Sequence, residues 1–179
     1  MRAFVEAVLA YTNATQVNVI GHSMGVSIGR KIIKGGSAED EKEGVYTVGT
    51  NLTSRVKSFI GLAGANLGLS SCLGQFLVPT CSSIDGFDPG STPTTGPSKF
   101  LSDINNSTIR EGSNVYTIWS KYDDLIMNDC VVWGKVTSRI PQQTEEVIKN
   151  SKEWTHFYVR DQSGPDLIRW LWQSFIILI

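Results

Sequence analysis

The sequence is poor in charge and carries no excess of either sign. Of its 179 residues 18% are charged, and 16 basic residues face 17 acidic ones for a net charge of -1. Typical globular domains have about 25% charged residues. Without a cationic excess the chain as a whole cannot attract nucleic-acid phosphates, so we expect no nucleic-acid partner. The length and the 41% hydrophobic fraction instead predict a single globular domain over residues 1–179.

Cysteine is also scarce, and its spacing excludes the common zinc sites. Cys72, Cys81 and Cys130 form no C-x-x-C pair and no zinc-like spacing with histidine, so we expect no metal. Cys72 and Cys81 can close a short disulfide that leaves Cys130 free, or all three can remain buried thiols in a reducing compartment. Glycosylation sequons favour a secretory location. These sequons begin at Asn13, Asn51, Asn105 and Asn106.

The sequence lacks a hydrophobic run long enough to cross a membrane. Its most apolar segment, residues 167–179, is shorter than the ~18 residues of a spanning helix and is interrupted by Arg169 and Gln173. It predicts a terminal core helix over residues 166–179, with contact to a lipid surface as the alternative. We therefore expect no transmembrane segment.

Residues 1–11 lack the pattern of a signal peptide. Glu6 interrupts the apolar run, and no small-residue cleavage site follows it cleanly. Apolar residues recur there at helical spacing instead, which predicts a packed helix. If the protein is secreted, we expect its export signal to lie outside this sequence.

The sequence does contain an alternation of strand and helix patterns. The strand patterns, β-branched or aromatic, cover residues 17–20, 56–60 and 114–119, with a weaker apolar piece at 131–136 and a strand or loop at 157–159. The helical patterns after the first helix cover residues 23–33, 99–105 and 166–179. The acidic cluster 39–43 reads as a solvated loop. This order predicts an α/β fold with a mainly parallel sheet covered by helices on both faces.

Between the second and third strands lies a long stretch rich in Gly, Pro, Ser and Thr. We call residues 69–112 the excursion. Long structured loops in compact domains often rim or cover a functional site. The apolar residues that can contact an acyl chain there, or simply pack the loop, are Leu73, Phe76, Leu77 and Val78.

One motif carries the chemistry, a G-x-S-x-G pattern at residues 21–25, where the first strand meets the next helix. A serine in this pattern occupies a strained turn that lifts its hydroxyl off the carboxyl edge of the sheet. Ser23 is therefore the candidate nucleophile. We expect Gly21 and Gly25 to avoid a steric clash where strand and helix pass closely. The Met24 backbone N–H, at the positive end of the helix, is the candidate oxyanion donor.

Histidine is so scarce that it restricts the general base. The sequence has two histidines, and a nucleophilic serine needs a base. His22 adjoins the nucleophile, but neighbouring side chains on the elbow point in different directions, so we interpret it as a structural residue. His156, directly before the last helix, is the candidate base.

The acid is expected between the serine and the histidine in the chain. Asp123 and Asp124 follow the third strand at its carboxyl end, and Asp129 is a more distant competitor. One of the first two can orient the imidazole, while the other is solvated or caps a helix. The residues alone leave the choice between Asp123 and Asp124 open.

Four segments taken together point to one known family. They are GHSMGVSIGR at 21–30, FIGLAGAN at 59–66, IWS at 118–120 with the following aspartates, and WGKVTSRIP at 133–141. They resemble the class 2 lipases, particularly the nematode secreted branch. The resemblance implies an α/β-hydrolase fold with Ser23 as nucleophile, His156 as base and Asp123 as acid. It also implies a secreted hydrolase of acylglycerol or other lipid carboxylic esters that works through an acyl-enzyme and needs no cofactor.

The sequence departs from that family at its start. Only about sixteen residues precede Val17, whereas the resemblance implies earlier strands and a loop that supplies the second oxyanion donor. We therefore expect a domain that lacks its N-terminal strands. The alternative function is an inactive fragment or paralogue that binds lipid or a partner, and a thioesterase or acyltransferase would use the same three residues.

Overall fold

The computed structural model describes residues 1–75 and 77–173. Helices and short strands alternate along the chain. In chain order they are α1 (Arg2–Thr12), β1 (Val17–His22), α2 (Met24–Lys34), β2 (Gly36–Asp40), β3 (Gly44–Gly49), β4 (Val56–Leu62), α3 (Lys99–Asn106), β5 (Asn114–Ser120), β6 (Val131–Val132), β7 (Lys135–Val136), β8 (Glu145–Lys149), α4 (His156–Gln162) and α5 (Gly164–Gln173).

Four of these strands form a parallel sheet in the order β1-β4-β5-β8. All three pairings are parallel, and the register places Val19 beside Phe59 and Phe59 beside Val115. Because the strands are parallel, their carboxyl ends meet at one edge of the sheet. The expected α/β fold with a parallel sheet and flanking helices is confirmed. Within the described residues β1 forms one border of the sheet.

Each face of the sheet has its own hydrophobic core. On one face Phe59 and Val115 pack with Val26 and Ile33 of α2. On the other face the cluster continues into the last two helices, and its members include Ile60, Ile118, Val159 and Trp170. Strands buried on both faces read as continuous apolar runs, which explains why β4 and β5 were recognisable in the sequence.

The acidic cluster is the predicted solvated loop only over residues 41–43, which form an exposed turn. Glu39 and Asp40 end strand β2, which forms an antiparallel hairpin with β3. The Asp40 carboxylate accepts the N–H groups of Lys42 and Glu43 at 2.8 and 2.9 Å and so builds the turn. The prediction was wrong for Glu39 and Asp40, because charge was given more weight than the turn chemistry of Asp40 and the β-branched run that follows the turn.

Strand β8 was missed for a related reason, since its sequence is mostly charged. These charges are paired with neighbouring elements. Glu146 binds Arg139 at 2.6 Å, Glu145 binds Arg169 at 2.7 Å, and Lys149 binds Asp166 at 2.7 Å. On a strand at the border of the sheet, ion pairs take the place of apolar contacts. Such a strand lacks the apolar pattern by which strands are recognised in a sequence.

The other predicted helices and strands have ends close to those observed, with one correction. Residues 157–159 belong to helix α4, which begins at His156, and are neither strand nor loop. The apolar piece at 131–136 forms two paired strands of two residues each, β6 and β7. Residues 174–179 of the expected terminal helix lie outside the described residues.

Helix α5 packs one face against the core, while its Ile168 and Trp172 are 57% and 68% exposed. Its Trp170 is fully buried and stacks on Tyr116, with ring centroids 4.4 Å apart. The Trp170 indole also donates to Glu145 at 3.0 Å, which ties the helix to β8. In the described part of the chain, no helix has both the length and the apolar character that crossing a membrane requires.

The excursion contains the disulfide. Cys72 and Cys81 are bonded, whereas Cys130 is a free, buried thiol. Of the two alternatives for the three cysteines, the single disulfide is the one observed. Burial raises the pKa of the Cys130 thiol to about 12, so this residue is an inert part of the core at neutral pH.

Candidate active site

Ser23 occupies the strained turn that its motif predicts. It lies between β1 and α2 with φ 56° and ψ -128°, a conformation that non-glycine residues rarely adopt. Its N–H donates to the carbonyl of Leu62 at 2.8 Å, which fixes the turn to the end of the neighbouring strand. The parallel sheet thereby places Ser23 at the carboxyl edge.

The two glycines of the motif are not equivalent. A Cβ on Gly21 would lie 2.8 Å from the Gly25 oxygen and 2.9 Å from the Val26 Cα, so strand and helix pass too closely there for any side chain. A Cβ on Gly25 would have nothing within 4 Å. The expectation that both glycines relieve a clash is wrong for Gly25.

Met24 is the first residue of α2, directly after Ser23. The first N–H groups of a helix have no acceptor within the helix, and they lie at the positive end of its dipole. This position suits a backbone donor to an anion that forms next to the Ser23 hydroxyl.

His156 and Asp123 form a buried pair. His156 Nδ1 lies 2.7 Å from Asp123 Oδ2, and the two residues are 1% and 4% exposed. The second carboxylate oxygen of Asp123 accepts the N–H groups of Leu125 and Ile126 at 3.0 and 2.8 Å. These bonds hold the carboxylate in one orientation, so the imidazole has a fixed partner.

Asp124 also contacts the histidine, but through the backbone. Its Oδ1 accepts the His156 N–H at 2.8 Å, and His156 is the first residue of α4. Asp124 therefore caps that helix, because it satisfies an N–H that has no acceptor within the helix. Asp129 lies in the turn Asn128–Cys130 and makes no hydrogen bond to His156 among the described residues.

His22 lies closer to this pair than the sequence indicates. Its Nε2 is 3.1 Å from the His156 carbonyl oxygen, and the two imidazole rings are 4.6 Å apart. Burial is the largest effect on the pKa of His22 and lowers it below the ordinary 6.5, although the hydrogen bond with the His156 carbonyl raises it. The smaller charge effects of His156 and Arg160 lower the pKa, and that of Asp123 raises it. A neutral His22 can donate Nε2–H to that carbonyl and so support the loop from which His156 projects.

A cavity of about 260 Å³ brings these elements together. Ser23, Met24 and His156 belong to its lining. The remaining lining is mostly apolar and comprises Ala65, Leu69, Thr80, Phe87, Leu125 and Ile126. His156 is the one ionisable side chain among these residues, so the cavity suits an uncharged apolar group.

The excursion reaches this cavity through residues other than the expected ones. It contributes Leu69, Thr80 and Phe87 to the lining. Leu73, Leu77 and Val78 are exposed instead, by 42%, 99% and 42%. Phe76, the fourth residue expected to contact an acyl chain, lies outside the described residues.

A buried charge network that the sequence did not predict anchors helix α2. Arg30 and Glu111 are 0% and 1% exposed and bind each other at 2.8 Å, and Lys34 binds the same carboxylate at 3.2 Å. The Arg30 guanidinium also donates to Asn66 and Asn105 at 3.0 and 2.9 Å. The network fixes the helix that follows Ser23 to the excursion. The only sequence signal was a run of charges in an amphipathic helix, which usually indicates a solvated face.

Comparison with solved structures finds similarity to α/β-hydrolases from several sources. An alpha/beta hydrolase enzyme from the metagenome of lagoon sediments of Mar Chica, Morocco, is 11% identical with a TM-score of 0.48, covering 97% of this chain and 67% of that one. Mouse alpha/beta hydrolase domain-containing protein 10 is 18% identical (TM-score 0.44; 95% and 68% covered). A single-residue mutant of an epoxide hydrolase from Bacillus megaterium is 12% identical (TM-score 0.42; 96% and 72% covered).

Family membership rests on sequence. A comparison with curated proteins found no match. The sequence profile of the family described as Lipase (class 2) matches residues 1–163, which is most of the chain. The chain therefore belongs to the class 2 lipase family.

Proposed function

We propose that this protein is a serine hydrolase of lipid carboxylic esters, with acylglycerols as the substrate class. The observation that carries the proposal is the cavity lined by the strained Ser23 and by His156, whose ring is hydrogen-bonded to the buried Asp123. Family membership supports the lipid ester, and the apolar lining of the cavity supports an uncharged acyl group.

The proposed reaction begins with attack of Ser23 Oγ on the ester carbonyl. His156 Nε2 accepts the serine proton, while its Nδ1–H donates to the Asp123 carboxylate and keeps the imidazole in the required tautomer. The Met24 N–H donates to the oxyanion that forms. His156 then returns the proton to the leaving alcohol, and water hydrolyses the acyl-enzyme by the reverse sequence of proton transfers. These steps use side-chain and backbone groups of the chain and no cofactor.

We propose that the protein is secreted, within the nematode branch that its motifs resemble. The Cys72–Cys81 disulfide supports an oxidising location. Three of the four sequon asparagines are exposed, namely Asn13, Asn51 and Asn106. Asn105 is committed to the buried network, because its side chain accepts from Arg30 and donates to the Asn66 carbonyl.

The test is labelling with a fluorophosphonate probe, together with turnover of a triacylglycerol emulsion. We expect Ser23-dependent labelling that Ser23→Ala abolishes. Asp123→Asn should lower kcat by about 10⁴-fold, because the imidazole loses the acceptor that fixes its tautomer. Asp124→Asn keeps an acceptor for the His156 N–H and should cost far less, so it is the matched control.

A folded parent protein without Ser23-dependent labelling or turnover would refute the enzyme proposal. Binding to lipid without turnover would then support the alternative of a non-catalytic lipid-binding protein. Equal losses in the Asp123 and Asp124 variants would contradict the assignment of Asp123 as the acid.

A further inference from the structure

One wall of the cavity is a single unit built from the excursion. The Leu69 N–H donates to the Phe87 carbonyl at 2.9 Å, and the Phe87 N–H donates to the Thr80 carbonyl at 2.7 Å. These three residues, which we call the excursion wall, all line the cavity beside Ser23 and His156. Because their backbones are bonded to one another, the wall can move only as a unit or by breaking these bonds.

The disulfide lies directly behind this wall. Cys81 follows Thr80 in the chain, and Cys72 and Cys81 are 1% and 6% exposed. Both cysteines pack in one buried cluster with Phe87, and that cluster also contains Ala65, Leu101 and Ile104. The disulfide closes the loop that contains Thr80. It therefore limits how far the excursion wall can move away from Ser23 and His156.

The cavity is small and open to solvent, since Met24 and Leu125 in its lining are 55% and 51% exposed. Its volume of about 260 Å³ is slightly below the ~300–1,000 Å³ of typical small-molecule sites. An acyl chain that lies against the excursion wall would be buried over the part that the cavity holds, and its further carbons would extend into solvent.

We propose that the excursion wall, with Phe87 as its principal side chain, limits how much of an acyl chain is buried beside Ser23. The inference rests on the proposed ester hydrolase function and makes the length of the acyl chain the property that the site selects. Phe87 is 5% exposed and belongs both to the cavity lining and to the cluster that holds the disulfide. It acts here as a specificity-determining residue that does not take part in the proton transfers.

The first experiment measures kcat/KM for p-nitrophenyl esters from butanoate to hexadecanoate, which share one leaving group. Each methylene that becomes buried should raise kcat/KM by up to about fourfold, and the gain should stop at the chain length beyond which further carbons stay in solvent. Phe87→Ala should move this limit to chains about two to four carbons longer, because the space left by the ring relaxes only in part. Phe87→Leu should move the limit by less. Because leucine fills more of the space than alanine, this variant provides the test if Phe87→Ala unfolds.

The matched control is Leu101→Ala. Leu101 is fully buried in the same cluster but does not line the cavity. Its truncation should lower stability and leave the chain-length limit in place. A second substrate series consists of butanoate esters of lengthening alcohols. In this series Phe87 variants should not change the chain length at which kcat/KM stops rising.

The double variant Cys72→Ser, Cys81→Ser tests whether the disulfide holds the wall. Without the bond the wall can retreat, so the limit should become less sharp and the ratio of dodecanoate to octanoate turnover should rise. If the disulfide only stabilises the fold, the variant would unfold more easily in urea and keep the limit of the parent protein.

The outcomes separate this inference from the function on which it rests. An absence of Ser23-dependent turnover on every ester would defeat the proposed function. Turnover on butanoate that keeps rising through hexadecanoate, or a limit that neither Phe87 variant moves, would overturn the inference alone. A Phe87-dependent limit in the alcohol series only would assign the cavity to the leaving group and also overturn it.

Discussion

At the scale of residues, the candidate site depends on the contacts that fix the backbone of Ser23 and the ring of His156. Ser23 is held in a rare backbone conformation, and His156 is held at both ends, by Asp123 at its ring and by Asp124 at its backbone N–H. The sequence named Ser23 as the candidate nucleophile from its motif and His156 as the candidate base from a count of two histidines. The choice of Asp123 over Asp124 needed the family resemblance, since both carboxylates occupy equivalent places in the sequence.

His22 gives a prediction about pH at this scale. Because burial lowers the pKa of folded His22 below 6.5, the unfolded chain takes up a proton at a pH where the folded chain does not. The contribution of His22 to stability is therefore complete above pH 6.5 and is lost as the pH falls from there through the folded pKa. We expect the free energy of unfolding, measured in urea, to fall more steeply on acidification in the parent protein than in His22→Gln.

His22→Gln is a suitable comparison because the amide retains an N–H donor for the His156 carbonyl but does not titrate. His156, Arg160 and Asp123 influence His22 electrostatically and are unchanged in both proteins. Identical pH dependence in the two proteins between pH 7.5 and pH 5.5, about one unit either side of the ordinary value, would contradict the prediction.

At the scale of elements, the junction between β1 and α2 decides how Ser23, the candidate nucleophile, is presented. The strand and helix approach closely at Gly21 but leave open space at Gly25. Helix α2 is fixed from its other side by the pair Arg30–Glu111, which the sequence did not predict. Local patterns in the sequence revealed the strand and the helix. The contact that fixes α2 to the rest of the molecule joins residues more than eighty positions apart, and no local pattern shows it.

The two glycines provide a matched pair of variants. Gly21→Ala should destabilise the protein by about 1–3 kcal/mol, because its Cβ would meet backbone atoms that cannot move aside. Gly25→Ala should be neutral or stabilise by up to about 1 kcal/mol, because alanine favours the helix and meets no neighbour. Urea unfolding measures both values. Similar destabilisation by the two substitutions would show that the open space at Gly25 is not present in solution.

At the scale of the whole molecule, exposed apolar side chains border the cavity. Met24 and Leu125 line it and are 55% and 51% exposed, and Leu77 at the tip of the disulfide loop is 99% exposed. Exposed apolar groups next to a cavity favour contact with an apolar partner, and for the proposed lipid ester substrate that partner is a lipid surface. Leu77 can serve this purpose as well as the C-terminal segment that the sequence pointed to.

Flotation with phosphatidylcholine vesicles distinguishes these two contacts. We expect Leu77→Asp to reduce the bound fraction several-fold, because a charged group at the tip resists burial among acyl chains. Val45→Asp is the matched control, since Val45 is also strongly exposed but lies on strand β3. Binding that is lost on truncation after Gln173 and unaffected by Leu77→Asp would assign the contact to the C-terminal segment instead.

The sequence by itself determined the fold class, and it named Ser23 as the candidate nucleophile and His156 as the candidate base. These follow from local chemistry: hydrophobic periodicity, a strand–turn–helix motif and the scarcity of histidine. The tertiary structure decided what depends on distant residues meeting: the charged strand β8, the partner of each aspartate, the place of His22 beside His156, and the cavity wall made of Leu69, Thr80 and Phe87. Burial and pairing of these groups arise only when segments far apart in the chain pack together, and a local pattern carries no record of that packing.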